Sequence, residues 1–269
     1  PLKNSPAEKS GLKPDDKILK IDAFNTQGIN VNEAVKRIRG LIGTTVVLNV
    51  FRDAWQLPKD ITITRQEIIV PNLESELKEI GNYRIMHIKL FSFNEKATAA
   101  FYKAAIQTAI SQTHGMNLDL RNNPGGYLDA AVSMASWFLP EGQVVVKEIG
   151  KTDKDMVLHK SKGPGIFKDK IKMVILVNKG SASASEILAG ALSEHGVGTL
   201  MGSQTFGKGS VQELMKLTND TSIKITVAKW YTPNGVSISD SGLTPQVKLE
   251  PNKNEDVDTQ LQEAINYLK

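Results

Sequence analysis

Three serines lie close together in Gly180-Ser-Ala-Ser-Ala-Ser-Glu-Ile-Leu-Ala-Gly190, where a predicted strand turns into a predicted helix. A serine hydroxyl on such a turn is presented at the edge of a sheet, beside helix amides that can stabilise an oxyanion. Ser183-Ala-Ser-Glu186 also fits a capping box, in which Ser183 only caps the helix, and capping serines far outnumber nucleophiles. The stretch alone therefore indicates either a nucleophile or a helix cap.

None of the four histidines is well placed to activate Ser183. His195 is the nearest in sequence, but it comes at the far end of the same predicted helix, ~18 Å away at a rise of 1.5 Å per residue. His87, His114 and His159 have no motif around them, and each is interpreted as an ordinary surface or core histidine. The sequence gives no support to a Ser/His/Asp site.

A lysine offers the alternative base. In Ser203-Gln-Thr-Phe-Gly-Lys-Gly-Ser-Val-Gln212 it lies between two glycines, and Gln212 follows four residues later, a spacing that allows Lys208 and Gln212 to share one face of a helix or strand. A free lysine, with a pKa of ~10.4, is almost wholly charged at pH 7. A lysine base therefore needs an apolar cleft and a neutral partner such as Gln212. A solvated loop lysine is the alternative interpretation.

Repeated units of strand, glycine turn and helix must position these residues. Strands are predicted at 83–90, 117–120 and 173–177, and helices after Asn94, after the loop 121–126 and from about Ser183 to Glu194. This repetition predicts an α/β (α+β) fold with a mixed sheet and crossover helices. An antiparallel hairpin is predicted over 210–232, and a short helix over 257–269.

The first 65 residues predict a smaller α/β module. Its expected elements are strands at 18–21, 46–51 and 61–65 and a helix from Asn32 to Arg39, which would bury Ala34, Val35 and Ile38. A linker is expected from there to about Ser75.

Composition removes several classes of function. The 269 residues include 33 Lys and Arg against 29 Asp and Glu, and the net charge of +4 is too weak to indicate a nucleic-acid surface. The chain has no cysteine, which excludes disulfides and thiolate chemistry. No apolar run approaches the ~20 residues of a membrane span, and the start at Pro1 is not a signal peptide, so we interpret the chain as a fragment without its targeting segment.

Taken together, the motifs resemble those of the C-terminal processing (tail-specific) peptidases, which are Ser/Lys proteases with an attached PDZ domain. The stretch 180–192 is similar to the nucleophile motif of that family and 205–212 to its base motif. The resemblance implies Ser183 as nucleophile, Lys208 as general base and Gln212 as the residue that holds the lysine. Asp119-Leu-Arg-Asn-Asn-Pro-Gly-Gly126 is similar to a further signature, which implies an oxyanion hole made by Gly125 or Gly126 together with Ala184.

The same resemblance implies the organisation and activity of the chain. Residues 1–68 would form a PDZ domain that lacks its first strand and carboxylate-binding loop, and residues 69–269 a peptidase core of crotonase or Clp-like fold. The implied activity is that of an endopeptidase without metal or other cofactor. It would act on polypeptides with apolar C-terminal tails in an extracytoplasmic or cell-envelope setting, and homo-oligomerisation is left open.

Two other functions and one residue stay open on the sequence. The chain could be a non-catalytic PDZ scaffold in which Ser183 is only a cap, or an acyl-CoA enzyme of the crotonase type, for which no acid/base carboxylate pair is present. Glu194 lies near the position at which some family members carry a functional aspartate. We expect Glu194 to have a surface or packing role.

Overall fold

The computed structural model describes residues 1, 5–13, 15–68, 71–152, 155–218, 221–239, 241–250 and 257–269. Contacts between residues divide the chain into two compact units, Pro1–Val70 and Pro71–Lys269. The assignment of residues 1–68 and 69–269 to a PDZ domain and a peptidase core stays a prediction.

The first unit is a small antiparallel sheet with two short helices. In chain order its elements are α1 (Pro6–Lys9), β1 (Lys17–Ile21), β2 (Phe24–Asn25), α2 (Val31–Ile38), β3 (Thr45–Phe51) and β4 (Lys59–Thr64). The sheet has the order β2-β1-β3-β4, and alternate residues of β3 point into its core. Ala34, Val35 and Ile38 form the inward face of α2 as predicted, with Ala34 and Ile38 packed against the core, but they are only partly buried. A unit this small covers only part of a two-turn helix.

The second unit contains two sheets. Its elements are β5 (Leu73–Ile80), β6 (Tyr83–Leu90), α3 (Glu95–Ile110), β7 (Gly115–Asp119), α4 (Leu128–Ala135), β8 (Val144–Ile149), β9 (Met156–Lys160), β10 (Lys172–Val177), α5 (Ala184–Glu194), β11 (Thr199–Gly202), β12 (Ser210–Lys216), β13 (Ser222–Tyr231), β14 (Val247–Lys248) and α6 (Thr259–Leu268). A six-stranded sheet has the order β14-β11-β10-β7-β6-β5, and a four-stranded sheet the order β12-β13-β8-β9.

The six-stranded sheet is mixed. Its neighbouring strands are parallel except for β5, which pairs antiparallel with β6 at the edge. The predicted mixed α/β fold is confirmed. The linker predicted up to about Ser75 ends slightly earlier, because β5 begins at Leu73, and the sequence did not predict this strand. This edge strand has only three apolar residues among its eight, and none of its residues is fully buried, so it lacks the apolar run that marks the central strands.

Both faces of this sheet are covered by helices. Along β10, Met173, Ile175 and Val177 belong to the core formed with α3, α4 and α5. Val174 and Leu176 belong to a second core formed with α6. This alternation follows from the two-residue repeat of a strand, and it explains the uninterrupted apolar sequence of β10. No helix in the described part of the chain is both long and apolar enough to cross a bilayer.

A partly buried ion cluster joins the loop after β7 to the start of α6. Arg121 donates to both carboxylate oxygens of Asp119, at 2.9 and 2.6 Å, and to both of Asp258, at 2.8 and 2.6 Å. Burial opposes the charge of Asp258, but the hydrogen bonds from Arg121 and from the Leu261 amide outweigh it and lower the pKa of Asp258 below its ordinary value. The cluster fixes the beginning of the loop that carries Gly125.

Substituting Arg121 by Met should destabilise the protein by about 3–5 kcal/mol at pH 7, because the carboxylate of Asp119 would stay buried without its cation. Arg84→Met is a matched control, since Arg84 pairs only with an exposed Glu79 and should cost at most about 1 kcal/mol. Urea unfolding measures both values.

The same cluster makes stability depend on pH. Because folding lowers the pKa of Asp258, its contribution is present above about pH 4 and is lost as the pH falls through the folded value. Unfolding curves at decreasing pH should therefore show that the unfolding free energy falls less in Arg121→Met than in the wild type. Equal decreases in the two proteins would contradict this assignment.

Candidate active site

The predicted site residues follow the carboxyl ends of three neighbouring strands. The glycine pair Gly125-Gly126 follows β7, Ser183 follows β10 and Lys208 follows β11. These strands lie side by side in parallel, in the order β11-β10-β7. Parallel strands end at the same edge of a sheet, which is where open α/β sheets commonly bind ligands. The fold therefore brings the three motifs to one edge.

Ser183 lies on a strained turn. Its backbone angles are φ 57° and ψ −118°, in a region that non-glycine residues seldom occupy. An ordinary N-cap residue has extended angles, and its side-chain oxygen accepts a hydrogen bond from a helix amide. The Ser183 hydroxyl is near the Glu186 amide, as in a capping box, but the geometry falls short of a hydrogen bond, whereas the Ser183 amide donates to Glu186 Oε2 at 2.8 Å. Backbone strain of this kind is typical of functional sites.

The other two serines of the turn are structural. Ser181 is fully buried, and its hydroxyl donates to the Leu120 carbonyl at 2.8 Å. Ser185 is also fully buried, and its hydroxyl donates to the Asn123 carbonyl at 2.9 Å. Ser183 is partly exposed. The structure therefore distinguishes the middle serine from its two neighbours.

A shared hydrogen-bond acceptor brings the backbone of Lys208 close to Ser183. The amides of both residues donate to the same oxygen, Glu186 Oε2, at 2.8 Å from Ser183 and 3.0 Å from Lys208. The two nitrogens can be no farther apart than these two distances added together. Two residues 25 positions apart in sequence thus belong to one small region.

Lys208 and Gln212 are both exposed. The apolar burial predicted for the amine of Lys208 is absent from this conformation, because the residue lies in the loop before β12, outside the sheet cores. Lys208 lies outside β12, which begins at Ser210, so the alternation of that strand does not decide whether residues 208 and 212 share one face. The roles assigned to Lys208 and Gln212 stay predictions.

The glycine pair fits tightly between the serine turn and Phe93. A side chain at Gly125, which has φ 94°, would meet the Ala182 carbonyl at 2.5 Å and Ser183 Cβ at 2.8 Å. A side chain at Gly126 would meet the Phe93 carbonyl at 2.1 Å. Only glycine fits at either position.

The two glycine amides differ in their availability. The Gly125 amide donates to Asn123 Oδ1 at 2.9 Å, and Asn123 is fully buried. Gly126 is exposed. Of the two glycines, Gly126 is therefore the better candidate for a donor to an oxyanion.

Every histidine of the chain has a partner away from Ser183. His195 ends α5 and hydrogen-bonds to the Val144 carbonyl at 2.8 Å. His87, His114 and His159 contact Asn117, Arg84 and Glu148, respectively. Burial lowers the pKa of His87 below its ordinary value. These contacts agree with the interpretation of the histidines as structural.

Sequence reasoning gave Glu186 no role beyond a capping box, yet it is fully buried and connects two of the motifs. Its position within the apolar stretch of α5 is a signal in the sequence for such a connecting role, because a buried charge needs several hydrogen-bond partners. Glu194 has the structural role that was expected, since its carboxylate accepts the Asn234 amide at 2.7 Å. In the described part of the chain, no three His, Asp or Glu side chains are grouped to hold a metal ion.

A family model identifies the chain. The model of peptidase family S41 matches residues 84–249, which is more than half of the chain, and the chain belongs to this family. A PDZ domain model matches residues 1–50.

Several curated relatives are described as C-terminal processing proteases. The carboxy-terminal processing protease CtpA of Bacillus subtilis is 39% identical over 250 residues, which cover 93% of this chain and 52% of the relative. The carboxyl-terminal-processing protease of Synechocystis is 37% identical over 251 residues, which cover 93% of this chain and 58% of the relative. The chain thus spans little more than half the length of these proteins.

Solved structures show the same fold. The photosystem II D1 C-terminal processing protease has a TM-score of 0.69 and 28% identity, and the match covers 100% of this chain and 71% of that one. A Bacteroides fragilis protein described as a putative S41 protease has a TM-score of 0.70, with 99% of this chain and 76% of that one covered. At 16% identity, the second match supports the fold alone.

Gly125→Ala should reduce cleavage of a tailed polypeptide by about 10²-fold or more, because the added methyl group would displace the Ser183 turn. Gly142→Ala is the matched control: Gly142 also has a positive φ, of 85°, but nothing lies within 4 Å of the added atom. Initial rates per folded molecule measure the difference. Equal rates in the two variants would show that the close approach of Gly125 to Ser183 is unimportant.

Proposed function

We propose that this protein is a serine endopeptidase that cleaves polypeptides near their C-termini, with Ser183 as nucleophile and Lys208 as general base. The observation that carries this proposal is the strained turn of Ser183 at the carboxyl edge of the sheet, with the Lys208 amide bound to the same carboxylate oxygen. A cap would need no such turn. Family membership and the names of the relatives support the reaction class.

The first half of the reaction forms an acyl-enzyme. The neutral amine of Lys208 removes the proton of the Ser183 hydroxyl while its oxygen bonds to the carbonyl carbon of the scissile peptide. The amides of Gly126 and Ala184 donate to the oxyanion that develops. The bond from carbon to nitrogen then breaks, and the Lys208 ammonium returns its proton to the departing amine.

Water completes the cycle. Lys208 removes a proton from a water molecule, whose oxygen bonds to the acyl carbon, and the ester bond to Ser183 breaks as the serine recovers its proton. Gln212 orients the amine through a neutral hydrogen bond, which adds no negative charge that would favour the ammonium.

The substrate has a part in forming the site. Lys208 is exposed in this structure, so the dry surroundings that favour a neutral amine have to come from the bound polypeptide. Phe206, two residues before Lys208, is 65% exposed and offers an apolar surface for this contact. A polypeptide with apolar residues near its C-terminus fits this requirement.

Substrate selection and location are also part of the proposal. Residues 1–50 match a PDZ domain, and PDZ domains bind peptide C-termini by strand addition. We assign recognition of the substrate C-terminus to this region. An extracytoplasmic or cell-envelope setting rests on the resemblance to the family alone.

Ser183→Ala should abolish cleavage of a tailed polypeptide while leaving the unfolding free energy close to that of the wild type, because it removes the nucleophile from a partly exposed position. Lys208→Arg should be nearly as damaging, since a guanidinium does not lose its proton near neutral pH. Cleavage is followed by mass spectrometry of the released C-terminal fragment.

Lys216→Arg is the control for the lysine variant, because Lys216 is exposed and ends β12, the strand that carries Gln212. It should cleave at the wild-type rate. Full activity in Ser183→Ala or Lys208→Arg would contradict the Ser/Lys mechanism, whereas absence of cleavage by the wild type would favour a non-catalytic peptide-binding function.

A further inference from the structure

Glu186 is a buried acid that the reaction itself does not use. It lies in the first turn of α5, and its exposed fraction is 0%. Burying a carboxylate is costly unless it is hydrogen-bonded or paired with a cation. The contacts of Glu186 therefore show what the fold gains from this residue.

Four hydrogen bonds from two segments converge on this carboxylate. Oε1 accepts the Thr205 hydroxyl at 2.6 Å and the Gly207 amide at 2.7 Å. Oε2 accepts the Ser183 amide at 2.8 Å and the Lys208 amide at 3.0 Å. A carboxylate offers about four acceptor positions, so these donors use all of them. Every one of these donors is electrically neutral.

We propose that Glu186 is a positioning residue that fastens the nucleophile turn and the Lys208 loop together as one rigid unit. This inference rests on the proposed function of Ser183 and Lys208, and it adds the element that sets their relative placement. Three of the four donors come from the segment 205–208. The fourth is the amide of Ser183, so Glu186 also helps to hold the strained backbone of this residue.

The arrangement also keeps a negative charge from binding the proposed base. Because its acceptor positions are filled, Glu186 has none left for the Lys208 ammonium. The acid therefore holds the backbone of residue 208 through its amide and has no acceptor position left for a direct hydrogen bond to the side chain.

A second buried contact extends the unit. Thr205 Oγ1 donates to Glu186 and accepts the Leu243 amide at 2.7 Å, and the Thr205 amide donates to the Leu243 carbonyl at 3.1 Å. Thr205 is buried. The Lys208 loop is therefore held on one side by Glu186 and on the other by the segment that contains Leu243.

The central experiment compares Glu186→Gln with the wild type. A glutamine of nearly the same size keeps one acceptor oxygen but turns an NH₂ group toward two of the donors. We expect kcat per folded molecule to fall by about 10²-fold with KM changed by less than about threefold, because a small misplacement of reacting groups affects the chemical step. Amide hydrogen exchange at Gly207 and Lys208 should become faster.

Two further comparisons separate positioning from charge and from folding. Glu213→Gln removes the same charge from exposed β12 and should leave kcat unchanged. Thr205→Ser keeps the hydroxyl that binds Glu186, whereas Thr205→Val loses it. We expect Thr205→Ser to cleave within about threefold of the wild-type rate and Thr205→Val to be slower by about tenfold or more. This pair tests the proposal even if Glu186→Gln does not fold.

The outcomes distinguish this proposal from the proposed function. Wild-type kcat and exchange in Glu186→Gln, or equal rates in Thr205→Val and Thr205→Ser, would overturn the positioning role while leaving the Ser/Lys mechanism intact. Cleavage by Ser183→Ala at the wild-type rate would instead overturn the Ser/Lys mechanism. The exchange measurement would then still report whether Glu186 holds the two segments together.

Discussion

The parallel order of β11, β10 and β7 is the constraint on which the candidate site depends. It places three turns that are distant in sequence at one edge of the sheet. Each turn then has to approach its neighbours closely, which explains the glycines at 125 and 126 and the small residues around Ser183. A different strand order with the same elements would separate the serine from the lysine. The order of the strands therefore determines which residues can meet at the site, and side-chain chemistry then determines what they can do.

Close approach of turns buries polar groups, and the structure satisfies them with specific side chains. Asn123 binds the Leu90 carbonyl and the Gly125 amide, and Ser185 binds the Asn123 carbonyl. Arg121 joins Asp119 to Asp258. Buried polar groups of this kind are costly if they lose a partner, so they specify one arrangement of the loops. The signature that contains Asp119, Arg121 and Asn123 is in this sense a set of loop supports that ends in the glycine pair.

Much of the core could be predicted from the sequence, because the central strands and helices have apolar repeats that match their periods. The strand over 83–90 and the helix after Asn94 lie where the pattern indicates. The edge strand β5 escaped prediction, since a half-exposed strand with alternating charges resembles a polar linker. Among the site residues, Ser183 and Lys208 were indicated by the resemblance of their motifs to those of the family, because residue types alone left a helix cap and a solvated lysine as alternatives. The motifs could not show that Lys208 is exposed or that the Gly125 amide is already engaged, because both depend on contacts between distant segments.

The strain at Ser183 also needs a source of stability in the surrounding structure. A non-glycine residue in such a conformation costs on the order of 1–3 kcal/mol and persists only where neighbouring contacts hold it. Here the amide of Ser183 is bound by Glu186, and the residues on either side are held through Ser181 and Ser185. A backbone supported on both sides holds the Cβ atom of Ser183 in one place, from which its hydroxyl faces the edge of the sheet. The same carboxylate binds the amide of Lys208, so the positions of both backbones depend on one buried acid, while the side chain of Lys208 is exposed.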